Sequence, residues 1–225
     1  MLPALMSTSA AGPAASSIQH AIFDFDGTLA DSVDHVIELY NAAAGWLRVR
    51  RVTREDVKHL RTLKPMEAIK AMDVPMWKLP LLVRSVRRGM RKRIRNLDSF
   101  PGLDAALAGL REGGVRCYVL STNSTENIEV FLAHHGLTFF HELEGGSSLF
   151  GKAKHLKKFI AKQGLDPART LYVGDEVRDI HAAREAGLRC VSVTWGYSER
   201  EALRAEHPFA LVDTPAELLT ALKGA

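Results

Sequence analysis

Two aspartates one residue apart close the apolar segment IFDFD (residues 22–26), and Gly-Thr follows at once. Carboxylates entering an apolar strand are costly unless they are paired or bound to a metal. A third, Asp175, ends TLYVGD, while Thr122 and Asn123 end VLSTN. Taken singly these are ordinary features: an Asp-Gly turn, a Ser-Thr-Asn helix cap, a Gly-Asp loop. Taken together, at the ends of three apolar segments, they can converge on one crevice, because ligands of a doubly wound sheet bind beyond the carboxyl ends of its strands. Three carboxylates at one point repel unless a cation joins them, and an oxygen-rich site of this kind suits Mg²⁺. Beside such a metal one carboxylate can attack phosphorus while its neighbour supplies and retrieves protons. Asp24 and Asp26 have the composition for those two roles.

For these residues to meet, the segments that carry them must lie side by side. Apolar runs at residues 21–25, 115–121, 170–174, 188–195 and 209–212 read as strands buried on both faces of a parallel sheet. Helical patterns lie between them at 103–113, 125–136, 152–164, 176–187 and 214–224, several ending in Gly. The alternation predicts an α/β fold with a doubly wound, mainly parallel, Rossmann-like sheet. Residues 34–98 break the alternation with helical texture that ends at Ser-Phe-Pro-Gly, a turn signal. They predict an all-helical cap inserted after the first strand, leaving residues 18–33 and 99–225 as the catalytic core.

The 46% hydrophobic and 25% charged content excludes disordered and fibrous classes. The first 17 residues lack a basic region and a long apolar region, so they read as a flexible leader and not a signal peptide. No run approaches the roughly 20 apolar residues of a membrane span. Cys117 and Cys190 fall in core-strand patterns, where a thiol acts as a small hydrophobe, and the expected location is cytoplasmic. Net charge is +4, yet seven cations fall between Arg84 and Arg95 with no acid among them, so the rest of the chain carries −3.

DFDGTLADS, VLSTN, a lysine opening a helix in FGKAKHLKKF, and VGDEVRD together resemble the four ordered motifs of the haloacid dehalogenase (HAD) superfamily. The similarity covers residue 20 to about 224 and is greatest to the phosphoglycolate-phosphatase-like branch with a helical cap. It implies that Asp24 is the nucleophile forming an aspartyl-phosphate and that Asp26 is the general acid and then base. It implies that Asp24, Asp175 and the backbone carbonyl of Asp26 hold Mg²⁺. Thr122 and the Asn123 N–H would bind the phosphoryl oxygens, Lys152 would neutralise charge between Asp24 and phosphate, and Asp179 would orient the site from the next helical turn. The second aspartate argues for phosphoryl transfer over dehalogenation, since an alkoxide must be protonated as it leaves and a halide need not be.

Weaker signals carry two readings each. In a lysine-rich stretch Lys152 is favoured because it lies before the helix begins, near the crevice, and Lys154 is the alternative. Glu176 either favours a helix N-terminus through the dipole or stands behind the metal. The nine histidines show no chelating spacing, and none is assigned to chemistry. Trp195-Gly196-Tyr197 either borders the crevice or anchors its loop on the core. In the basic run, Val83, Val86, Met90 and Ile94 form a stripe suited to the cap core, with the cations on a solvated face. Selection of an anionic substrate by one or two of these arginines ranks second, and binding of nucleic acid or another polyanion ranks last. The expected function is hydrolysis of a small phosphorylated metabolite, with 2-phosphoglycolate as the family-level substrate. A phosphomutase and a non-catalytic polyanion binder are the alternatives, with no membrane partner expected and the oligomeric state left open.

Overall fold

The structure is a computed structural model that describes residues 18–63, 65–146 and 151–224; the leader expected at residues 1–17 lies outside the described residues. Strand β1 (His20–Phe23) explains the continuous apolar run: Ala21 and Phe23 enter one core cluster and Ile22 enters another on the opposite face. β1 is flanked in parallel by β4 (Arg116–Leu120) and β6 (Thr170–Gly174). Beyond them lie β5 (Glu142–Glu144), β7 (Arg189–Val193) and β8 (Ala210–Val212), giving the parallel order β5-β4-β1-β6-β7-β8. Phe23 is level with both Val119 and Val173, so the residues that follow β1, β4 and β6 emerge at the same height. This register brings the chemistry together.

Helices α5 (Leu103–Glu112), α6 (Thr125–His134) and α10 (Pro215–Lys223) cover one face through Leu107, Phe131 and Leu218. On the other face, α7 (Lys152–Gln163), α8 (Val177–Glu185) and α9 (Arg200–Ala205) pack through Phe159, Ile180 and Leu203. Each large apolar side chain buried this way contributes roughly 1.5–3 kcal/mol. Cys117 and Cys190 are buried free thiols in β4 and β7. Among the described residues no helix is long and apolar enough to cross a membrane.

Between β1 and α5 the chain forms α1 (Val33–Leu47), α2 (Arg54–Leu60), α3 (Pro65–Ala71) and α4 (Leu79–Arg93). These four helices have their own apolar cluster around Tyr40, Leu47, Ile69 and Leu82. Their two connections to the sheet are joined by a short antiparallel ribbon, β2 (Ala30–Asp31) with β3 (Asp98–Ser99). The ribbon escapes the sequence pattern because strands of two residues are too short to show a period, and β5, Glu-Leu-Glu, escapes it because it offers a single apolar residue.

The basic run differs from expectation in where its apolar stripe goes. Val83 and Val86 flank the helical cluster, but Met90 and Ile94 join the cluster under the sheet. α4 therefore spans both regions instead of resting on the helices alone. Arg84, Arg88, Arg91, Lys92 and Arg95 are exposed, Arg93 pairs with Glu38, and Arg87 is half-buried.

Candidate active site

Asp24 leaves β1 with its N–H donating to the Val173 carbonyl at 2.9 Å, which ties the strand end to β6. Its Oδ1 accepts the Phe25 N–H at 2.8 Å, and its Oδ2 accepts Lys152 Nζ at 2.5 Å. The same ammonium donates to Asp179 Oδ1 at 2.5 Å. Lys152 is the first residue of α7 and not a loop residue before it, and it is buried, whereas Lys154 is exposed. Burial alone would lower the Lys152 pKa, but the charges of Asp179 and Asp24 outweigh it and the net shift is upward.

Asp179 uses its second oxygen to accept the N–H groups of Asp175 and Glu176, at 3.1 and 3.0 Å. It thereby fixes the turn from β6 into α8 while reaching the lysine. Asp175 is fully buried and accepts the Thr28 hydroxyl at 2.6 Å and the Tyr197 N–H at 2.7 Å. Burial, then the charges of Glu176, Asp179 and Asp24, push its carboxyl well above the usual range. Gly27 (φ +79°) is required here twice over, because its backbone is left-handed and a Cβ would overlap the Asp175 carboxylate.

Asp26 stands beside this cluster. Its Oδ2 accepts Asn123 Nδ2 at 3.0 Å, while its buried Oδ1 has no hydrogen-bond partner among the described residues. Burial, and next the charge of Asp24, push its carboxyl up to about 6. Asn123 is itself held by Asn127 Nδ2 at 2.8 Å, and its N–H donates to Ser121 Oγ at 3.1 Å. That amide, expected to face a phosphoryl oxygen, is thus engaged within its own turn. Thr122 lines the cavity above. Asn127 went unnoticed in the sequence, although an amide among the buried positions Ile128, Phe131 and Leu132 of α6 is a signal.

The loop after β7 serves both readings given to it. Trp195 anchors it, packing on Phe100 and donating to the Thr28 carbonyl at 3.2 Å. Tyr197 borders the crevice, with its hydroxyl 3.3 Å from Ser32 Oγ. Arg61, just past α2, reaches across to this loop and donates to the Tyr197 and Gly196 carbonyls at 2.8 and 2.7 Å. No local pattern marks Arg61, because its acceptors are backbone atoms over a hundred residues away.

Above the carboxylates lies a cavity of about 290 Å³, lined from the sheet side by Asp26, Thr122, Asn123 and Arg178 and from the helices by residues including Val86 and Arg87. Glu176 precedes α8, and its carboxylate accepts two hydrogen bonds from Arg178. Neither reading offered for Glu176 included that pairing.

Oxygens of Asp24, Asp175 and Asp179 lie within 4.8 Å of one another, and all three residues are buried. Lys152 supplies one positive charge against three carboxylates, so a divalent cation fits the donor set and its charge. The expected carboxylates Asp24 and Asp175 belong to this group. Asp179, expected only to orient, is equally near, and each oxygen of all three carboxylates accepts at least one hydrogen bond.

The profile of the haloacid dehalogenase-like hydrolases matches residues 21–193. A phosphoglycolate phosphatase of Synechococcus elongatus is 37% identical over 206 residues, covering 91% of this chain and 97% of that protein. Another from Agrobacterium fabrum is 31% identical, covering 90% and 91%. The crystal structure of a predicted phosphatase from Clostridium acetobutylicum superposes with a TM-score of 0.80 at 19% identity, covering 93% of this chain and all of that one (100%).

Proposed function

The chain belongs to the haloacid dehalogenase-like hydrolases and is a phosphatase, and on that premise we propose that it hydrolyses a small phosphomonoester, 2-phosphoglycolate the foremost candidate, through an aspartyl-phosphate. The observation that carries this reading is the buried Lys152 ammonium held between Asp24 and Asp179 at 2.5 Å each, beside Asp26 and Asp175. An aspartate whose charge is partly balanced by a fixed lysine can accept the approach of an anionic phosphoryl group.

In the proposed reaction an Asp24 carboxylate oxygen bonds to phosphorus as the bond from phosphorus to the leaving oxygen breaks. Asp26, whose carboxyl is pushed up to about 6 by burial and by its neighbour's charge and so holds a proton more readily than a free aspartate, gives that proton to the leaving oxygen and releases the alcohol. The Asp26 carboxylate then takes a proton from a water whose oxygen attacks phosphorus, and cleavage of the Asp24–phosphorus linkage frees phosphate. Asn123, braced by Asn127, aims Asp26. Lys152 and Thr122 bind phosphoryl oxygens. Asp24, Asp175 and the Asp26 carbonyl would hold Mg²⁺, which supplies charge neutralisation of the phosphoryl group. Residues 34–98 act as a cap whose helices exclude bulk water from this crevice and supply specificity.

The test is release of inorganic phosphate from a panel of small phosphomonoesters, with Mg²⁺ or with chelator. Asp24→Asn is expected to lower turnover at least about 10⁴-fold. Release that survives this substitution rejects the covalent route. Transfer of phosphate between sugars without net release would identify a mutase instead.

A further inference from the structure

Arg178 sits in the first turn of α8, where the helix dipole disfavours a cation. Its guanidinium is largely buried, at 17% side-chain exposure, and stays charged at any working pH. Glu176 Oε1 accepts its Nε at 2.9 Å and its Nη2 at 2.5 Å, which fixes the plane of the group. The third nitrogen, Nη1, is buried and finds no acceptor among the described residues. A buried charged donor left unmade costs more than its hydrogen bond would contribute, so such a group calls for an explanation.

The cavity supplies one. Arg178 lines it together with Asp26 and Thr122, while Arg87 of α4 contributes to the same cavity from the opposite side. The intervening wall is apolar, with Val83, Val86 and Met90. In such surroundings a single charged contact is stronger than it would be in water. The volume of about 290 Å³ admits a small metabolite and excludes a polymer. We infer that Arg178, aimed by Glu176, recognises a second anionic group of the substrate, a carboxylate or a second phosphate, remote from the reacting phosphoryl group. Arg178 is then a specificity-determining residue and Glu176 a positioning residue. The inference rests on the phosphomonoester reading above.

The test compares 2-phosphoglycolate, ethyl phosphate and ethylene glycol bisphosphate, which share the reacting group and differ at the far end. In Arg178→Gln the ratio of kcat/KM for the better of the two substrates with an anionic far end over that for ethyl phosphate should fall about 30-fold, chiefly through KM. Which substrate shows the fall identifies the anion. Arg178→Lys should recover part of the ratio, and Glu176→Gln should lower it less than Arg178→Gln does. An unchanged ratio in a folded Arg178→Gln protein overturns the inference.

Binding to the Asp24→Asn protein, measured by calorimetry, separates the two readings. Should the wild type hydrolyse none of the three compounds, the catalytic reading fails. A roughly 30-fold weaker affinity on adding Arg178→Gln would still uphold the anion subsite. Equal affinity with and without Arg178, or no binding of any probe, overturns it.

Discussion

Below the cavity, Asp24, Asp175 and Asp179 are each fixed by hydrogen bonds from backbone amides, a hydroxyl or Lys152, supplied by the ends of β1 and β6, the start of α7 and the loop after β7. Above it, α1, α3 and α4 present mostly apolar side chains such as Val36, Ile69 and Val86, and Arg87 is the cation they add. The lower region has charge without freedom, and the upper region has shape with little charge. Such a division suits a reaction in which one part must hold a phosphoryl group in a fixed geometry while the other surrounds whatever is attached to it.

If the lower region works by fixed charge, the largest effect after that of Asp24→Asn itself should come from Lys152→Met. It leaves Asp24 and Asp179 buried without their shared cation, at a cost of about 3 kcal/mol in stability and about 10²–10³ in kcat. Urea denaturation and phosphate release measure the two effects. Lys154→Met, on the exposed face of α7, should stay within about 0.5 kcal/mol of wild type. Similar losses in both variants would mean that α7 acts through its overall charge and not through one placed ammonium.

The same logic extends to the metal. A cation held, as proposed, by Asp24, Asp175 and the Asp26 carbonyl should raise the thermal midpoint, by about 2.7 kcal/mol of stability at a Mg²⁺ concentration a hundred times its Kd. In Asp175→Asn the shift should vanish, as read by calorimetry without any substrate. A full shift in that variant would place the ion elsewhere.

The contact between the regions comes next. Arg61 donates to two carbonyls of the loop that also delivers the Tyr197 N–H to Asp175. Arg61→Ala should cost about 1–2 kcal/mol and lower kcat/KM by about tenfold, since it loosens the upper region and the Asp175 support together. Loss of stability with unchanged kinetics would show that the latch serves only the fold.

The two regions also differ in how far sequence reveals them. IFDFD, VLSTN and VGD mark strand ends because a sheet buried on both faces leaves unbroken apolar runs that stop at polar residues. Register then follows from parallel pairing, and the convergence of Asp24, Thr122 and Asp175 needs no long-range information. Lys152 is legible only as one lysine among several, since what distinguishes it is burial. Arg61 is set by contacts over a hundred residues away that no period encodes, whereas Asn127 with Asn123 and Glu176 with Arg178 are local pairs, four and two residues apart, that stand out only once their burial is known. In α4 the stripe is legible but its destination is not: Met90 and Ile94 have the same spacing whether they face the helices or the sheet.

The ribbon that joins the two regions yields the smallest expected effect. Asp31 of β2 lies directly opposite Asp98 of β3, and like charges across strands are unfavourable. The Asp31 carboxyl is pushed upward, first by its partial burial and then by the charges of Asp34 and Asp98. A carboxyl raised in the folded state binds its proton more tightly there than in the unfolded chain. Its contribution therefore becomes less favourable as pH rises through the folded-state value, and the penalty is absent where both states are protonated. Asp98→Asn should remove part of that penalty, and solvent screening at this exposed ribbon limits the gain to a few tenths of a kcal/mol. Urea midpoints should show the gain at pH 8 and a smaller one at pH 4. A gain of equal size at both values would assign the improvement to strand pairing and not to charge, leaving the two regions joined by a connection that is electrostatically neutral.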